Sequence, residues 1–326
     1  MIAASGSSAS RRLVALLLAS CAPAVVAEDS AHYWLMKINQ AARTLNYEGV
    51  FVYERDKQID VMRIVHRYSD GRRQERLVSM NGAPREIIRN DREVICFLPD
   101  EKSVLVEHRK VDNKTFPALL PEQLQALDAN YNFQLGKQAR IAGRSAQSLQ
   151  IKPRDKLRYG YQLWADRDTG LLLKADLLDT DGQVIEQFMF TQLAIGVSIA
   201  DRALEPETGG EGYAWHREET VGEGKANALP RWKVAELPKG YRLTSHIARQ
   251  IPTRRVPVEH LVYSDGLAAV SVFVEKSDKS TVVGSGVSKM GAVHAYSRRV
   301  DGHKVTVVGE VPAETVTLLG NSVASR

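Results

Sequence analysis

Near its start the chain has apolar residues at helical spacing, and farther on apolar and polar residues at strand spacing. The residues on one face of the helical segment are Trp34, Ile38, Ala41, Ala42 and Leu45. Such a stripe predicts an amphipathic helix that buries one face against an apolar layer. Asp29 or Ser30 precedes it and is a suitable N-cap residue.

Ten segments rich in β-branched and aromatic residues follow this helix. They are residues 47–54, 58–67, 74–80, 85–89, 93–98, 103–107, 145–152, 159–165, 171–178 and 185–193. Turn pairs such as Asp70-Gly71, Asn81-Gly82 and Asp181-Gly182 separate several of them, and such pairs accept the positive φ angles of tight hairpins. Consecutive hairpins build an antiparallel sheet. We therefore expect a large curved antiparallel sheet with helices against one side, one of them a short helix at residues 121–129.

The composition changes at residues 207–228, where glycines mix with charged residues and no apolar period is visible. This stretch predicts a flexible linker between a first domain, residues 28–206, and a second domain, residues 229–326. The second domain shows further strand-like segments and a final helix that begins after Pro312, with Val316 and Leu319 on its inner side. About 100 residues can hold a small α+β core of their own.

The first 27 residues have the pattern of a secretory signal. Arg11 and Arg12 precede an apolar run, and small residues lead to a cleavage position after Ala27. This predicts a periplasmic protein that is soluble after cleavage. The alternative is a lipid anchor, because residues 18–21 resemble a bacterial lipobox ending at Cys21.

Composition narrows the function classes. Of 326 residues, 44% are hydrophobic and 25% charged, as in folded globular proteins. The net charge of +5 falls to +3 when Arg11 and Arg12 are removed with the signal, which is too small to indicate nucleic-acid binding. Cys21 and Cys96 are the two cysteines, so a disulfide framework and a cysteine-rich zinc site are excluded.

Sequence motifs of common enzymes are missing. The chain has no P-loop, no G-x-S-x-G elbow and no H-E-x-x-H pair. We therefore expect no catalytic residues, no cofactor and no metal site.

Charged and aromatic residues remain as candidates for binding. The expected lipid contacts are an aromatic set and a basic set: Trp164, Phe188, Phe190, Arg63, Arg67, Arg72 and Arg73. The expected partner contacts lie in the second domain: Arg242, Arg249, Arg254 and Arg255. Aromatic residues can line a groove for acyl chains and arginines can bind phosphates. The alternatives are ordinary core packing for the aromatic residues and a solvated sheet surface for the arginines.

Several short segments, in order, carry a resemblance to a known family. They are YEGVFVYER at 47–55, MNGAPREI at 80–87, WADRDTGL at 164–171, LLDTDG at 177–182, EQF at 186–188, LPKG at 237–240, YSDGL at 263–267 and VVGEVP at 307–312. Together they resemble the MucB/RseB family of periplasmic negative regulators of an envelope-stress sigma factor.

This resemblance implies a fold and a function. The larger domain would be a half-open β-barrel with helices, similar to the lipoprotein carriers LolA and LolB, followed by a smaller α+β domain. The protein would bind the periplasmic segment of a single-pass membrane anti-sigma factor and shield it from a site-one protease. A lipid or lipopolysaccharide signal would release it. The sequence leaves both a monomer and a homo-oligomer as alternatives. The competing hypothesis is a periplasmic lipid or lipoprotein carrier, for which residues 229–326 would be superfluous.

Overall fold

The computed structural model describes residues 30–108, 120, 124–217, 230–250, 257–277 and 286–326. The predicted signal with Ala27 and Cys21 lies outside these residues. The chain first forms helix α1, Ala31–Thr44, whose predicted cap is confirmed because the Ser30 hydroxyl accepts a hydrogen bond from the Tyr33 N–H. Four members of the predicted apolar stripe are buried, Trp34, Ile38, Ala41 and Ala42, and Leu35 is buried with them. Leu45, the fifth, caps the end of the helix and is half-buried.

Twelve strands follow in the described residues up to 217. They are β1 Tyr47–Arg55, β2 Gln58–Ser69, β3 Arg72–Ser79, β4 Glu86–Asn90, β5 Glu93–Leu98, β6 Ser103–His108, β7 Tyr131–Ile141, β8 Arg144–Pro153, β9 Gly160–Asp166, β10 Leu172–Leu178, β11 Val184–Ile195 and β12 Ala214–Arg217. Asp70 and Gly71, both with positive φ, form the predicted turn between β2 and β3.

All twelve strands belong to one sheet. Its order is β12-β6-β5-β4-β3-β2-β1-β11-β10-β9-β8-β7. Neighbouring strands are antiparallel except for β12, which runs parallel to β6. Within the described residues the edge strands β12 and β7 are not hydrogen-bonded to each other, so the barrel is not closed.

The described residues of the second domain form eight strands and one helix. They are β13 Trp232–Val234, β14 Arg242–Gln250, β15 Pro257–Ser264, β16 Ala269–Lys276, β17 Gly286–Met290, β18 Val293–Val300, β19 His303–Gly309, α2 Ala313–Asn321 and β20 Val323–Ser325. Six of these strands form a sheet of order β14-β15-β16-β19-β18-β17, and β13 pairs with β20. Val316 and Leu319 of α2 are fully buried, as predicted.

The predicted fold class is confirmed: the chain is α+β, with a large half-open antiparallel sheet and a smaller second domain. Strand β7 was not predicted, since Gly136 and Lys137 interrupt its alternation where the β7–β8 register shifts. In the described part of the helix expected at 121–129, the chain forms only a short 3-10 turn, Leu124–Leu127.

Residues 207–217 of the expected linker lie on the large sheet, which differs from the expectation for that part. The backbone N–H of Glu207 donates to the buried Glu86 carboxylate at 3.1 Å, and β12 pairs with β6. Residues 218–228 lie outside the described residues. Among the described residues, no helix is long and apolar enough to cross a membrane.

Candidate functional site

One face of the large sheet, the inner face, is covered by α1 and carries the core of the first domain. Phe188 and Phe190 lie on this face with Phe51, and their ring centroids are 5.1 to 6.0 Å apart. All three side chains are at most 4% exposed. These aromatic residues therefore form a packed floor under α1 and do not line an open groove.

Trp164 lies on the opposite, outer face of the sheet. Its neighbour Leu163 pairs with Ala175, and Ala175 pairs with Phe188, so those three share the inner face. Trp164 itself pairs with Lys174, whose Nζ lies 4.5 Å from the centre of the indole ring. Because successive strand residues point to opposite faces, the expectation that Trp164 joins Phe188 and Phe190 in one lipid site is wrong.

The four arginines expected near lipid phosphates lie in two separate parts of the sheet, the outer face and the β2–β3 hairpin. Arg63 and Arg67 alternate with the buried inner-face residues Met62 and Ile64, so they point to the outer face. Arg63 lies 3.4 Å from a Glu48 carboxylate oxygen, and Arg67 donates to Asp201 at 2.6 Å.

The other two arginines of this set lie at the β2–β3 hairpin. Arg72 is exposed there, and Arg73 pairs with Asp91 at 3.1 Å. The sheet thus separates Arg63 and Arg67 from the aromatic floor, and the expected site of phosphate next to acyl chain does not form from these residues.

Arg67 and Arg76 instead hold a segment of the chain, residues 196–213, against the outer face. We call this segment the strap. Arg67 also donates to the carbonyl of Ile199 at 3.2 Å. Arg76 donates to Glu86 at 2.6 Å and pairs with Glu207 of the strap at 2.7 Å. Burial alone would lower the pKa of Arg76, but hydrogen bonds to Glu207 and Glu86 raise it above its ordinary value.

The inner face is more open toward the β6 edge of the sheet. There Leu77, Ile87, Cys96 and Leu105 pair successively across β3, β4, β5 and β6. We call these four residues the apolar row. Leu77 is buried in the core, Ile87 and Cys96 are half-buried, and Leu105 is 38% exposed. The apolar row thus runs from the core to solvent, and the sequence reasoning did not identify it.

A polar row lies beside the apolar row on the same face. His66, Glu75 and Arg89 pair successively across β2, β3 and β4. The His66 ring stacks on Tyr47 at 4.8 Å and donates through Nδ1 to the Leu45 carbonyl at 2.7 Å. Burial lowers the pKa of His66, and the nearby Glu75 only partly offsets this. Met62, Ile64 and His66 are alternate residues of β2 and therefore share one face. This alternation was the sequence signal that could have placed His66 on the core side.

The expected partner contacts in the second domain are only partly described. Arg242 is exposed at the first position of β14. Arg249 belongs to the same strand, but its side chain lies outside the description, as do residues Arg254 and Arg255 entirely.

The two domains meet through a buried ion pair. In the turn between β15 and β16, Asp265 Oδ2 accepts hydrogen bonds from Arg158 at 2.5 Å and from the Tyr131 hydroxyl at 2.8 Å. Both charged side chains are fully buried. Arg158 also donates to the Lys239 carbonyl at 2.8 Å. Burial alone would lower the pKa of Arg158, but the negative charge of Asp265 raises it.

Further contacts extend this interface. The Ala292 N–H, at the turn between β17 and β18, donates to Glu186 of β11 at 3.2 Å. Glu186 also accepts from the Tyr53 hydroxyl. The Thr315 hydroxyl of α2 donates to the Leu157 carbonyl at 2.7 Å. Leu267, two residues after Asp265, packs into the core cluster of the first domain.

The arrangement is suited to binding. Among the described residues, no group of three or more His, Cys, Asp or Glu side chains could hold a metal ion. The features that stand out are an apolar row open to solvent, an outer-face strap and a buried interface between domains.

Comparisons with known proteins agree across the length of the chain. A model of the MucB/RseB N-terminal domain matches residues 30–208, and a model of the MucB/RseB C-terminal domain matches residues 226–324. The chain is 37% identical over 317 residues to the sigma factor AlgU regulatory protein MucB of Pseudomonas aeruginosa, covering 94% of this chain and 95% of that protein. It is 30% identical over 314 residues to the sigma-E factor regulatory protein RseB of Haemophilus influenzae, covering 96% of each.

Solved structures of MucB in complex with MucA also match this chain. A Pseudomonas aeruginosa MucA/MucB complex matches with a TM-score of 0.73 and 34% identity, covering 91% of this chain and 99% of that chain. A crystal structure of MucB in complex with MucA(peri) matches with a TM-score of 0.71 and 33% identity, covering the same shares.

Proposed function

The chain belongs to the MucB/RseB family, and from that premise we propose that it restrains an envelope-stress sigma factor from the periplasm. It does so by binding the periplasmic segment of a single-pass membrane anti-sigma factor and shielding that segment from a site-one protease. The observation that carries this proposal is similarity over both domains to a protein whose solved structure is a complex with MucA.

The buried interface between the domains supports a role that needs both of them. A carrier of lipids or lipoproteins needs only an apolar cavity, which the first domain alone could provide. Here the second domain is anchored to the first by Asp265, Ala292 and Thr315. This favours the regulatory function over the carrier alternative.

Protection from proteolysis tests the proposal. The purified periplasmic segment of the organism's anti-sigma factor is digested by the site-one protease with and without the protein lacking residues 1–27. We expect the half-life of the segment to rise at least about tenfold when the protein is saturating, because bound segment is withheld from the protease. An unchanged half-life would contradict the proposal.

Arg242 gives this assay a sharper form. Arg242 is the expected partner contact whose side chain is described, and it is exposed, as is the cation Lys233 on β13 of the same domain. We propose that the partner segment is acidic where it meets Arg242, so that Arg242→Glu reduces protection by charge repulsion. Lys233→Glu is the matched control and should protect as the wild type does. Equal effects of the two variants would remove Arg242 from the partner contacts.

We further propose that an anionic amphiphile binds the first domain and releases the partner. The apolar row supports this, because Leu105 keeps apolar surface in contact with water while Leu77 continues into the core. Leu105→Asp should weaken binding of a lipid A-like amphiphile, and Val184→Asp, a change at an exposed apolar residue of β11, should not. Unchanged binding by Leu105→Asp would exclude the apolar row as the lipid site.

A further inference from the structure

Among the described residues, the core cluster of the first domain includes one residue that the second domain supplies. The cluster is formed by residues of α1, the large sheet and the segment before β7, and Leu267 is the member that comes from the β15–β16 turn. Leu267 is 7% exposed in this position. Its surroundings in the first domain are therefore complete only while the second domain is docked.

Asp265 positions Leu267. One carboxylate oxygen, Oδ1, accepts from the backbone N–H groups of Leu267 and Ala268, both at 2.8 Å. The other, Oδ2, accepts from Arg158 and Tyr131 of the first domain. The same carboxylate thus shapes the turn that carries Leu267 and fastens that turn to the first domain.

The ion pair is suited to reversible docking. A buried pair sets register and orientation, but its attraction is largely offset by the loss of water around both charges. When the domains part, Arg158 and Asp265 both regain water. Separation therefore does not leave a charge buried without a partner, as removing one of the two residues would.

A close-packed core cannot accept an acyl chain unless something leaves it. The buried members from the first domain belong to its own helix, sheet and loops, so their departure would break contacts within that domain. Leu267 can leave by movement of the second domain alone. We infer that Leu267 is an exchangeable plug, and that an acyl chain binding in the first-domain core and docking of the second domain exclude each other. This inference rests on the lipid-binding part of the proposed function and supplies its mechanism of regulation.

The experiment compares Leu267→Ala with Leu243→Ala in the protein lacking residues 1–27. Leu243, on β14, is 39% exposed and serves as the matched control. The probe is dansyl-undecanoic acid, followed by fluorescence below its micellar concentration. We expect Leu267→Ala to bind the probe about tenfold more tightly than the wild type, because the plug no longer competes. Leu243→Ala should bind as the wild type does.

Hydrogen exchange provides a second measurement on the wild type. Saturating probe should accelerate amide exchange at residues 265–268 and leave the pairing of β13 with β20 unchanged. Equal affinity of Leu267→Ala and wild type would overturn the inference, as would unchanged exchange at 265–268 with bound probe. Failure of Leu267→Ala to bind the probe at all would do the same. The anti-sigma segment is absent from both assays, so these failures leave the proposed partner binding untouched.

Discussion

Arg158 and Asp265 lie 107 residues apart in the chain, and their side chains meet at 2.5 Å with no exposure to solvent. Tyr131 and Tyr241 flank the guanidinium, with ring centres 5.5 and 5.1 Å from Arg158 Cζ. The pair therefore joins the two domains in a buried environment, where loss of either charge leaves the other without its partner.

Substituting Arg158 by alanine should destabilise the protein by about 3 kcal/mol. The reason is that Asp265 would remain buried without its cationic partner, a change that typically costs about 3–5 kcal/mol. The Tyr131 hydroxyl still donates to Asp265, which places the expected value at the lower end. Urea denaturation measures the change.

Asp155 provides the control for this prediction. It also accepts from Arg158, at 3.0 Å, but it belongs to the first domain and is partly exposed. Asp155→Ala should cost less than Arg158→Ala, because Asp155 is partly exposed and the buried guanidinium keeps its bond to Asp265. A similar loss in both variants would show that the contact across the domains has no special weight.

Substituting Arg76 by alanine should release the strap. Glu86 is 4% exposed and would lose its hydrogen bond at 2.6 Å, and Glu207 would lose its partner. Hydrogen bonds to charged groups typically contribute about 1.5–3 kcal/mol. Limited proteolysis should cut within residues 204–213 faster than in the wild type. Arg63→Ala, at an exposed position on the same face, should leave the cutting rate unchanged, and faster cutting there would contradict the assignment.

Gly320 should not tolerate a side chain. A Cβ at this position of α2 would lie 2.3 Å from the Tyr296 ring and 3.4 Å from Val307. Forcing extra atoms into a packed interior typically costs about 1–3 kcal/mol. Gly320→Ala should therefore lower the melting temperature by several degrees. Gly209→Ala meets no atom within 4 Å and should melt with the wild type. Equal melting of both variants would show that α2 adjusts without strain.

His66 should make stability depend on pH. Burial holds its pKa below the usual value near 6.5, so the unfolded chain binds the proton first as the pH falls. The stabilisation that depends on neutral His66 is complete above about pH 6.5. It is lost as the pH falls toward the lowered pKa of His66 in the folded state. His66→Gln should flatten this part of the stability curve, measured by urea denaturation between about pH 7.5 and pH 5.

Glu75 offers a matched variant for the same prediction. Its charge raises the pKa of His66 and so partly offsets burial. Glu75→Gln should make the loss of stability at low pH larger than in the wild type. A smaller loss would contradict the assignment of Glu75 as the group that offsets burial.

The hairpins were predictable because their turn residues determine local geometry. Asp70-Gly71 and Asp301-Gly302 adopt the positive φ angles that such pairs favour. Periodicity likewise placed α1, and Pro312 marked the start of α2. These signals act over a few residues, so the sequence carries them directly.

The candidate site depended on register between strands, which local patterns do not contain. Trp164 and Phe188 are both aromatic residues in strand-like segments. Only the pairing through Ala175 shows that they lie on opposite faces. The residues Ser264, Asp265 and Gly266 are typical of a turn, but the bond from Arg158 to Asp265 joins two domains and has no local signature. The apolar row was likewise invisible, because its four residues come from four strands.

Deleting the second domain is a poor test, because the first domain would also lose its contacts with Leu267 and Asp265. Direct titration of the protein lacking residues 1–27 with the purified periplasmic segment of the organism's anti-sigma factor tests the central claim. Isothermal titration should give a dissociation constant of about 1 μM or lower, near 8 kcal/mol of binding free energy. Absence of measurable binding at about 100 μM segment, a concentration that would reveal even an interaction of about 5 kcal/mol, would contradict the claim.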